Sequence, residues 1–385
     1  MEGGTTLKTL ILTLLLPLYC FGSFNQDFDE NFLSALSTQP TGTVLTFTYE
    51  TTYPSAIVLG STYSGPADAS KALYNAGNGW KQYSSKTINV SSKKIFFKGD
   101  WRTGAGTIAQ LFNQTFTNNH YVSMSGGFDI NGSYKPNMFQ SVFYGCNGIR
   151  SIPSGLFGSV TGMPQIGMCQ STFSSCNAIT GAIPSNLFGN IEGPYANNMF
   201  AYTFYNCSKL TNDIPANLFG SVTGAPAYAM FQSTFSGCTS LRTIPDYLFG
   251  DLKGAPSGYM FDKTFYNCRG ITNLPYGIFG SFGNGLIGPP APDMFSQTFR
   301  DCIGLTTLPY ALFQGLTTGT AQNNMFLYTF YGCKNITSSS ATLNSGVKLY
   351  TKFPAPDFTF VHIGGCFKDC TSMSDYATMP DVWKQ

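Results

Sequence analysis

Cysteine is the residue through which this chain could most readily do chemistry. Eleven are present, and eight form a series: Cys146, Cys176, Cys207, Cys238, Cys268, Cys302, Cys333 and Cys370. The differences between those positions are 30, 31, 31, 30, 34, 31 and 37. Thiolates can ligate metal, attack carbon or pair as disulfides. Structural metal sites want short paired spacings such as Cys-x2-Cys, and no such pair is present. A nucleophilic cysteine needs a neighbouring base, usually histidine. The chain has two, His120 in a Thr/Asn-rich stretch and His362 in an irregular tail. Both read as ordinary side chains. A cysteine at one fixed position of every unit fits a ladder of buried thiols, each a small hydrophobe and weak donor. Disulfides between neighbouring units stay open, because successive cysteines would lie close. Cys169 and Cys366 fall outside the register, and Cys169 takes the Phe place of a Met-Phe pair. It reads as a packing substitute.

Other candidate motifs are less specific. Asp27, Asp29 and Glu30 cluster, but without the glycine and ligand spacing of a calcium loop. Gly104-Ala-Gly106 lacks the Lys-Ser/Thr of a phosphate loop. Asn-x-Ser/Thr triplets begin at Asn89, Asn113, Asn131, Asn206 and Asn335, and they matter only in a eukaryotic secretory host. No cofactor or metal is expected, and no enzyme.

The elements around the cysteines repeat with them. Three residues before each stands Phe143, Phe173, Phe204, Phe235, Phe265, Phe299, Phe330 or Phe367. Three residues after each comes an aliphatic residue or Met, from Ile149 to Met373. In six units an aliphatic-Pro pair follows, as in Ile152-Pro153, and then Leu/Ile-Phe, as in Leu156-Phe157. A Met-Phe pair such as Met230-Phe231 opens the next Phe-x-x-Cys. From Pro to the next Cys is 23 residues in the first four intervals, 153 to 176 through 245 to 268. From Cys to Pro is 7 or 8, and the extra residue reads as a bulge.

The spacing predicts a strand plus two short helical turns per unit. Leu241–Ile244 reads as a short strand. Pro245 suits a first helical turn, carrying Leu248, Phe249 and Leu252 until Gly254 ends it. Met260, Phe261, Phe265 and Cys268 make a second apolar stripe. One unit cannot bury these faces alone, so stacking must, which is the logic of a solenoid. The Gly/Pro-rich stretch 280–292 reads as a loop insertion.

The ends differ. Candidate strands lie at 43–49, 56–59, 87–90 and 94–97, separated by Gly, Ser, Asn and Pro. Leu111-Phe112 and Thr115-Phe116 match the unit, but Asn119 replaces its cysteine. That is a degenerate first unit. Residues 1–23 read as an export signal: Lys8, then an apolar run from Thr9 to Cys20, too short for a span of about 20 residues. The expected organisation is a signal peptide at 1–23, a β-rich domain or cap at 24–105, the solenoid at 106–375 and a C-terminal cap at 376–385. The fold class is α/β, with no membrane span after signal cleavage. Charged residues are only 10% of the chain and the formal net charge is +2. That argues against nucleic acid, which needs dense Lys/Arg pairing with phosphates.

Phe235-Ser-Gly-Cys-Thr-Ser-Leu-Arg-Thr-Ile-Pro245 resembles the BspA-like (Treponema-type) leucine-rich repeat. The resemblance covers roughly residues 108–375 and is carried by recurrence in register. This chain departs from it in its longer period and its added Leu-Phe-Gly and Met-Phe segments. The resemblance implies a leucine-rich-repeat-type solenoid and a secreted or cell-surface protein, in some cases an adhesin, binding a host protein or glycan. Candidate ligand-facing residues come from the sequence itself. The residue after the repeat Phe is Tyr144, Tyr205, Tyr266 and Tyr331 in alternate units, as fits adaptable contact surfaces or simple packing. Arg150 and Arg242, with Ser151, Thr243, Thr272, Asn273, Thr306 and Thr307, would point outward from the short strand.

Overall fold

Backbone hydrogen bonds between equivalent residues of successive units organise this chain. The computed structural model describes residues 43–385 except 118–119, 186, 189, 212, 217, 220, 250, 280–287, 311, 314–315, 317–321, 341–346 and 354–363. The expected signal segment, the 27–30 acidic cluster, Asn119 and His362 lie outside the described residues. The fold is mixed and rich in short strands, with few helical turns, and its sheets are open.

The N-terminal part is antiparallel. β1 (Val44–Tyr49) buries Leu45, Phe47 and Tyr49 on one face, the alternation a pleated strand imposes. β2 (Ala56–Val58) pairs with β5 (Thr87–Asn89). β3 (Ala72–Asn75), β4 (Lys81–Gln82), β6 (Lys94–Gly99) and β7 (Val122–Ser125) join β1 in the order β4-β3-β6-β1-β7. The four strands expected from sequence form, and β3, β4 and β7 are additions. The sheet's aromatic face closes on the degenerate first unit. Phe47 stacks on Phe116 at 4.2 Å, and Phe97 meets Phe112 edge-on at 4.9 Å. One hydrophobic cluster then runs from Leu45 to Trp383, so residues 42–385 form one compact unit.

A second, parallel sheet grows one strand per unit. β8 (Asn131–Ser133), β9 (Ser159–Gly162), β10 (Asn190–Gly193), β11 (Ser221–Gly224) and β12 (Asp251–Leu252) lie side by side in chain order. Val160, Ile191, Val222 and Leu252 are buried, and each of the last three pairs with a glycine of the strand before: Gly162, Gly193 and Gly224. Two expectations are corrected here. Leu241–Ile244 is not a strand. Two exposed residues, Arg242 and Thr243, separate two buried ones, which a pleated strand's alternation does not allow. Nor do Leu248 to Leu252 form a helix. Asp246–Phe249 is a turn, after which Asp251 and Leu252 pair with Thr223 and Gly224 of the unit before.

The second apolar stripe is not helical either. Met230–Cys238 is a ribbon of overlapping β-turns. Thr234 N–H donates to the Phe231 carbonyl, Ser236 to Ser233 and Cys238 to Phe235. The alternate N–H groups donate to the next unit: Ser233 to Asp262, Phe235 to Thr264 and Gly237 to Tyr266. Positive φ recurs every fourth residue, at Ala229, Ser233 and Gly237, as the third residue of a type II turn requires. Asn, Ser, Asp and Gly recur at these positions, including Asn198, Asn206, Asn267 and Asp301. Gly, Asn and Asp tolerate the left-handed region best, but Tyr202, Tyr259, Lys263 and Tyr328 hold it at the same positions.

This geometry places equivalent phenylalanines face to face. From Phe143 through Phe173, Phe204, Phe235, Phe265, Phe299 and Phe330 to Phe367, neighbouring rings lie 5.3–5.6 Å apart and within 11° of parallel. Phe200, Phe231, Phe261, Phe295 and Phe326 form a second column. At the far end Phe367 N–H donates to the Trp383 carbonyl, and Trp383 stacks on Phe367 at 6.2 Å. The last residues thus satisfy the terminal unit as a further unit would.

Phe235 is fully buried between Phe204 and Phe265. Phe235→Ala is expected to destabilise the fold by about 3–5 kcal/mol, the range for an emptied Phe site. Urea titration of the two proteins measures it. A loss below about 1 kcal/mol would remove this ring from the core.

Candidate functional site

The cysteines meet only backbone. Each series thiol donates from Sγ to the carbonyl of the repeat Phe one unit earlier: Cys176 to Phe143 at 3.0 Å, Cys207 to Phe173 at 3.2 Å and Cys238 to Phe204 at 3.1 Å. Cys268, Cys302, Cys333 and Cys370 do the same to Phe235, Phe265, Phe299 and Phe330. Cys146 donates to Phe112 of the degenerate unit at 2.7 Å. Each of these carbonyls already accepts an N–H of its own unit, as Phe173 does from Cys176 and Phe112 from Thr115. The thiol therefore fills the second lone pair of a buried oxygen. All ten described cysteines are free and buried. Burial disfavours the thiolate and pushes Cys146, Cys207 and Cys370 up to about 12, so these sulfurs are poor nucleophiles. Among the described residues no three His, Cys, Asp or Glu side chains converge as for a metal.

A column that cysteine counting overlooks stands beside them. Thr172, Thr203, Thr234, Thr264, Thr298 and Thr329 are wholly buried. Each hydroxyl reaches a carbonyl of the preceding unit: Thr203 to Cys169 at 3.0 Å, Thr234 to Phe200 at 2.9 Å and Thr264 to Phe231 at 2.8 Å. The Thr-Phe dipeptide before six of the eight series cysteines was the available signal. The two irregular cysteines fit these columns. Cys169 takes the place of Phe139 and Phe200, pairing its N–H with Met199 as they pair with Met168 and Met230. Cys366 accepts from Phe330 N–H where Thr329 accepts from Phe299, so it stands in the threonine column.

The alternating tyrosines divide. Tyr144 is exposed, whereas Tyr205, Tyr266 and Tyr331 are half-buried. The intervening Ser174 and Ser236 are small and buried. Arg300, the next occupant of that column, lies over Tyr266 at 5.7 Å and over Tyr331 at 4.6 Å. These rings are engaged within the stack by cation–π contact. Arg150 pairs with Glu50 at 3.3 Å and covers the Tyr121 ring at 4.2 Å, so it joins the N-terminal sheet to the first full unit.

Arg242 is differently placed. With Thr243, Ile244, Thr272, Asn273, Leu274 and Pro275 it lines an open cleft of about 170 Å3 between two units. The exposed pairs Arg242/Thr243, Thr272/Asn273 and Thr306/Thr307 continue as a polar row. Cross-unit hydrogen bonds hold it: Thr243 donates to Asp213, Thr306 N–H donates to the Thr272 carbonyl, and the Thr307 hydroxyl lies 3.3 Å from Asn273 Oδ1. Beside the row, Tyr247, Tyr276 and Tyr310 are 50%, 42% and 60% exposed. A second hollow of about 240 Å3 contains His120, Tyr49 and Gln114. There His120 Nδ1 lies 3.2 Å from the Thr52 carbonyl, which is a structural tether and not an acid–base pair.

The chain matches no family model, no curated protein and no solved structure in comparisons with known proteins.

The thiol environment predicts reactivity. At pH 8 a thiol reagent is expected to leave the ladder unlabelled in the native protein and to label every cysteine in guanidinium. If few react after unfolding, the free-thiol ladder is wrong. Stability should also fall in alkali. A thiol raised on folding contributes fully below its unfolded pKa near 9, and that contribution is lost as pH climbs toward about 12. Each such thiol costs roughly 1.4 kcal/mol per pH unit in that window. Urea midpoints at pH 7.5 and 10 test the slope.

Proposed function

We propose that the stacked units are one leucine-rich-repeat-type solenoid of the BspA-like kind. On this reading the chain is a secreted or cell-surface binding module without catalytic activity, acting as an adhesin toward a host protein or glycan. The observation that carries the reading is the contrast between columns. Phe, Thr and Cys are inside and nearly uniform, while the Arg242/Thr243, Thr272/Asn273 and Thr306/Thr307 row and its three exposed tyrosines are outside and varied. Solenoids present ligands with such extended faces. The row carries little charge, so recognition rests on shape, hydrogen bonds and aromatic contact instead of long-range steering. The buried thiols, carbonyl-bound and held protonated, support the non-catalytic part. Open-ended self-assembly is the second reading, and Trp383 stacked over the final Phe column disfavours it.

Binding of residues 24–385 to immobilised matrix proteins and to a glycan array tests this. Saturable binding to either class is expected, with monodisperse protein in light scattering. Concentration-dependent growth without ligand binding would replace the module by a structural assembly.

A further inference from the structure

The hollow between the N-terminal sheet and the first unit is lined by a buried hydroxyl without a partner. Tyr49, Ala56, Val58, Thr115 and His120 are among the residues around its roughly 240 Å3. Tyr49 is 2% exposed, yet among the described residues its hydroxyl meets no hydrogen-bond partner. Tyr63, Tyr134 and Tyr195 are buried too, and each donates to a backbone carbonyl, of Trp101, Phe188 and Phe249. Burial pushes the Tyr49 phenol up, so it stays protonated and can donate. The His120 ring stands edge-on to it, with centroids 6.1 Å apart. His120 Nδ1 lies 3.2 Å from the Thr52 carbonyl. A carbonyl only accepts, so Nδ1 carries the proton and Nε2 of the neutral ring is left as an acceptor. β2 adds a free peptide edge. The Ser55 carbonyl and Leu59 N–H bond toward β5, so Ala56 and Val58 turn their backbone groups to the other side. There the Val58 carbonyl accepts from Thr115 Oγ1 at 2.8 Å. Ala56 N–H and C=O have no such partner among the described residues.

We propose that this hollow binds an uncharged carboxamide carried on a small apolar body. The site lies apart from the outer row and does not depend on what that row binds. An amide donates and accepts at once without charge. Its oxygen takes the Tyr49 hydroxyl, and its N–H meets His120 Nε2 or the Ala56 carbonyl. A carboxylate would accept from Tyr49 but face those two acceptors with no proton to give. An ammonium would leave the Tyr49 hydroxyl without an acceptor. No Asp, Glu, Lys or Arg is among the described lining residues to neutralise either charge, and an unpaired charge out of water is costly. A hydroxyl has one oxygen with which to reach groups held by three separate segments. Pro54 and Val58 supply apolar surface for the body of the ligand. About 240 Å3 falls below the roughly 300–1,000 Å3 of drug-sized pockets, so the amide belongs to a small molecule or to a single residue of a peptide.

Ligand-observed NMR on the intact protein tests this. Benzamide, benzoate, benzylamine and benzyl alcohol are size-matched probes, and N-acetylalaninamide represents a peptide amide. Benzamide is expected to bind about tenfold tighter than its three analogues. Tyr49→Phe removes only the hydroxyl. It is expected to weaken benzamide by about tenfold and to leave the urea midpoint unchanged or raised, since the lost group had no partner. His120→Asn keeps a donor for Thr52, removes the Nε2 acceptor and is expected to weaken benzamide as well. Tyr63→Phe breaks the bond to the Trp101 carbonyl, so it should lower the midpoint and leave binding unchanged. Binding of N-acetylalaninamide beside benzamide supports a peptide as the source, and benzamide alone supports a small molecule. Equal binding of the analogues, benzamide binding unmoved by Tyr49→Phe, or no binding of either amide overturns the assignment. So does a lowered midpoint for Tyr49→Phe, because the hydroxyl would then be satisfied within the fold. None of these outcomes bears on the outer row.

Discussion

Every second N–H of the turn ribbon has its acceptor in the next unit and has none within its own. Ser233, Phe235 and Gly237 reach Asp262, Thr264 and Tyr266, and the same pattern runs from Gln110 to Gly332. Each such bond is worth only about 1 kcal/mol net, but an unpaired N–H in this dry core costs more. A unit that changed its backbone would therefore orphan groups in the unit before it. That constraint explains the constant stretch from Pro to Cys. It also explains why variation in length enters before the proline or in the segment after Gly280, away from the ribbon. The face-to-face phenylalanines follow from it, since identical backbones at strand spacing place identical side chains in columns.

The same constraint assigns the thiols and hydroxyls their work. In the ribbon the repeat Phe carbonyl accepts its own Cys N–H, and a second lone pair is left facing the next unit. A group there must be small, fit among phenylalanines and donate weakly. A thiol meets all three conditions, and serine would add desolvation of a stronger dipole. At the neighbouring column the hydroxyl of Thr234 or Thr329 reaches two carbonyls, its own unit's and the preceding one's. There the polar group is better satisfied and threonine suffices. The two columns differ in chemistry because they differ in how many acceptors each side chain meets.

Much of this was legible in the chain, and the failures were specific. The Phe, Cys and Pro register and the buried thiols could be read from position. The register of the first unit could not: Phe112, not Phe116, donates to Val142 and stacks on Phe143, so Thr115 stands in the cysteine place. The local backbone could not. Met260, Phe261, Phe265 and Cys268 have the spacing of a helical stripe, yet overlapping turns with positive φ every fourth residue produce the same spacing. Part of the signal was Asn, Asp or Gly at some of those fourth positions, as at Asn198, Asn206 and Asn267, since a helix interior disfavours them, but Tyr202, Tyr259 and Lys263 hold the same conformation. The strands β9 and β11, both Ser-Val-Thr-Gly, escaped notice because each is four residues long and offers one large apolar side chain, Val160 or Val222. Among surface residues, the alternating tyrosines could be read as ligand contacts or as packing, and Arg300 lies over both Tyr266 and Tyr331. Their contacts depend on the residue one unit away, which local spacing does not reveal.

What is left free to vary is then informative. In sequence, the position three residues before the proline reads Arg150, Gly181, Asn212, Arg242, Thr272, Thr306, while the repeat Phe does not change at all. A repetitive ligand, or stacking of whole molecules, would favour one repeated surface residue, as in the core. A varied row on a uniform scaffold suits a ligand recognised locally, at one or two units. Rigidity favours this too. Thr243 is tied to Asp213, Thr307 to Asn273, and Thr306 N–H to the Thr272 carbonyl. Side chains already ordered lose less entropy on binding, so even a shallow cleft can discriminate. The backbone bonds that make the core monotonous are thus what allow its outer face to be specific.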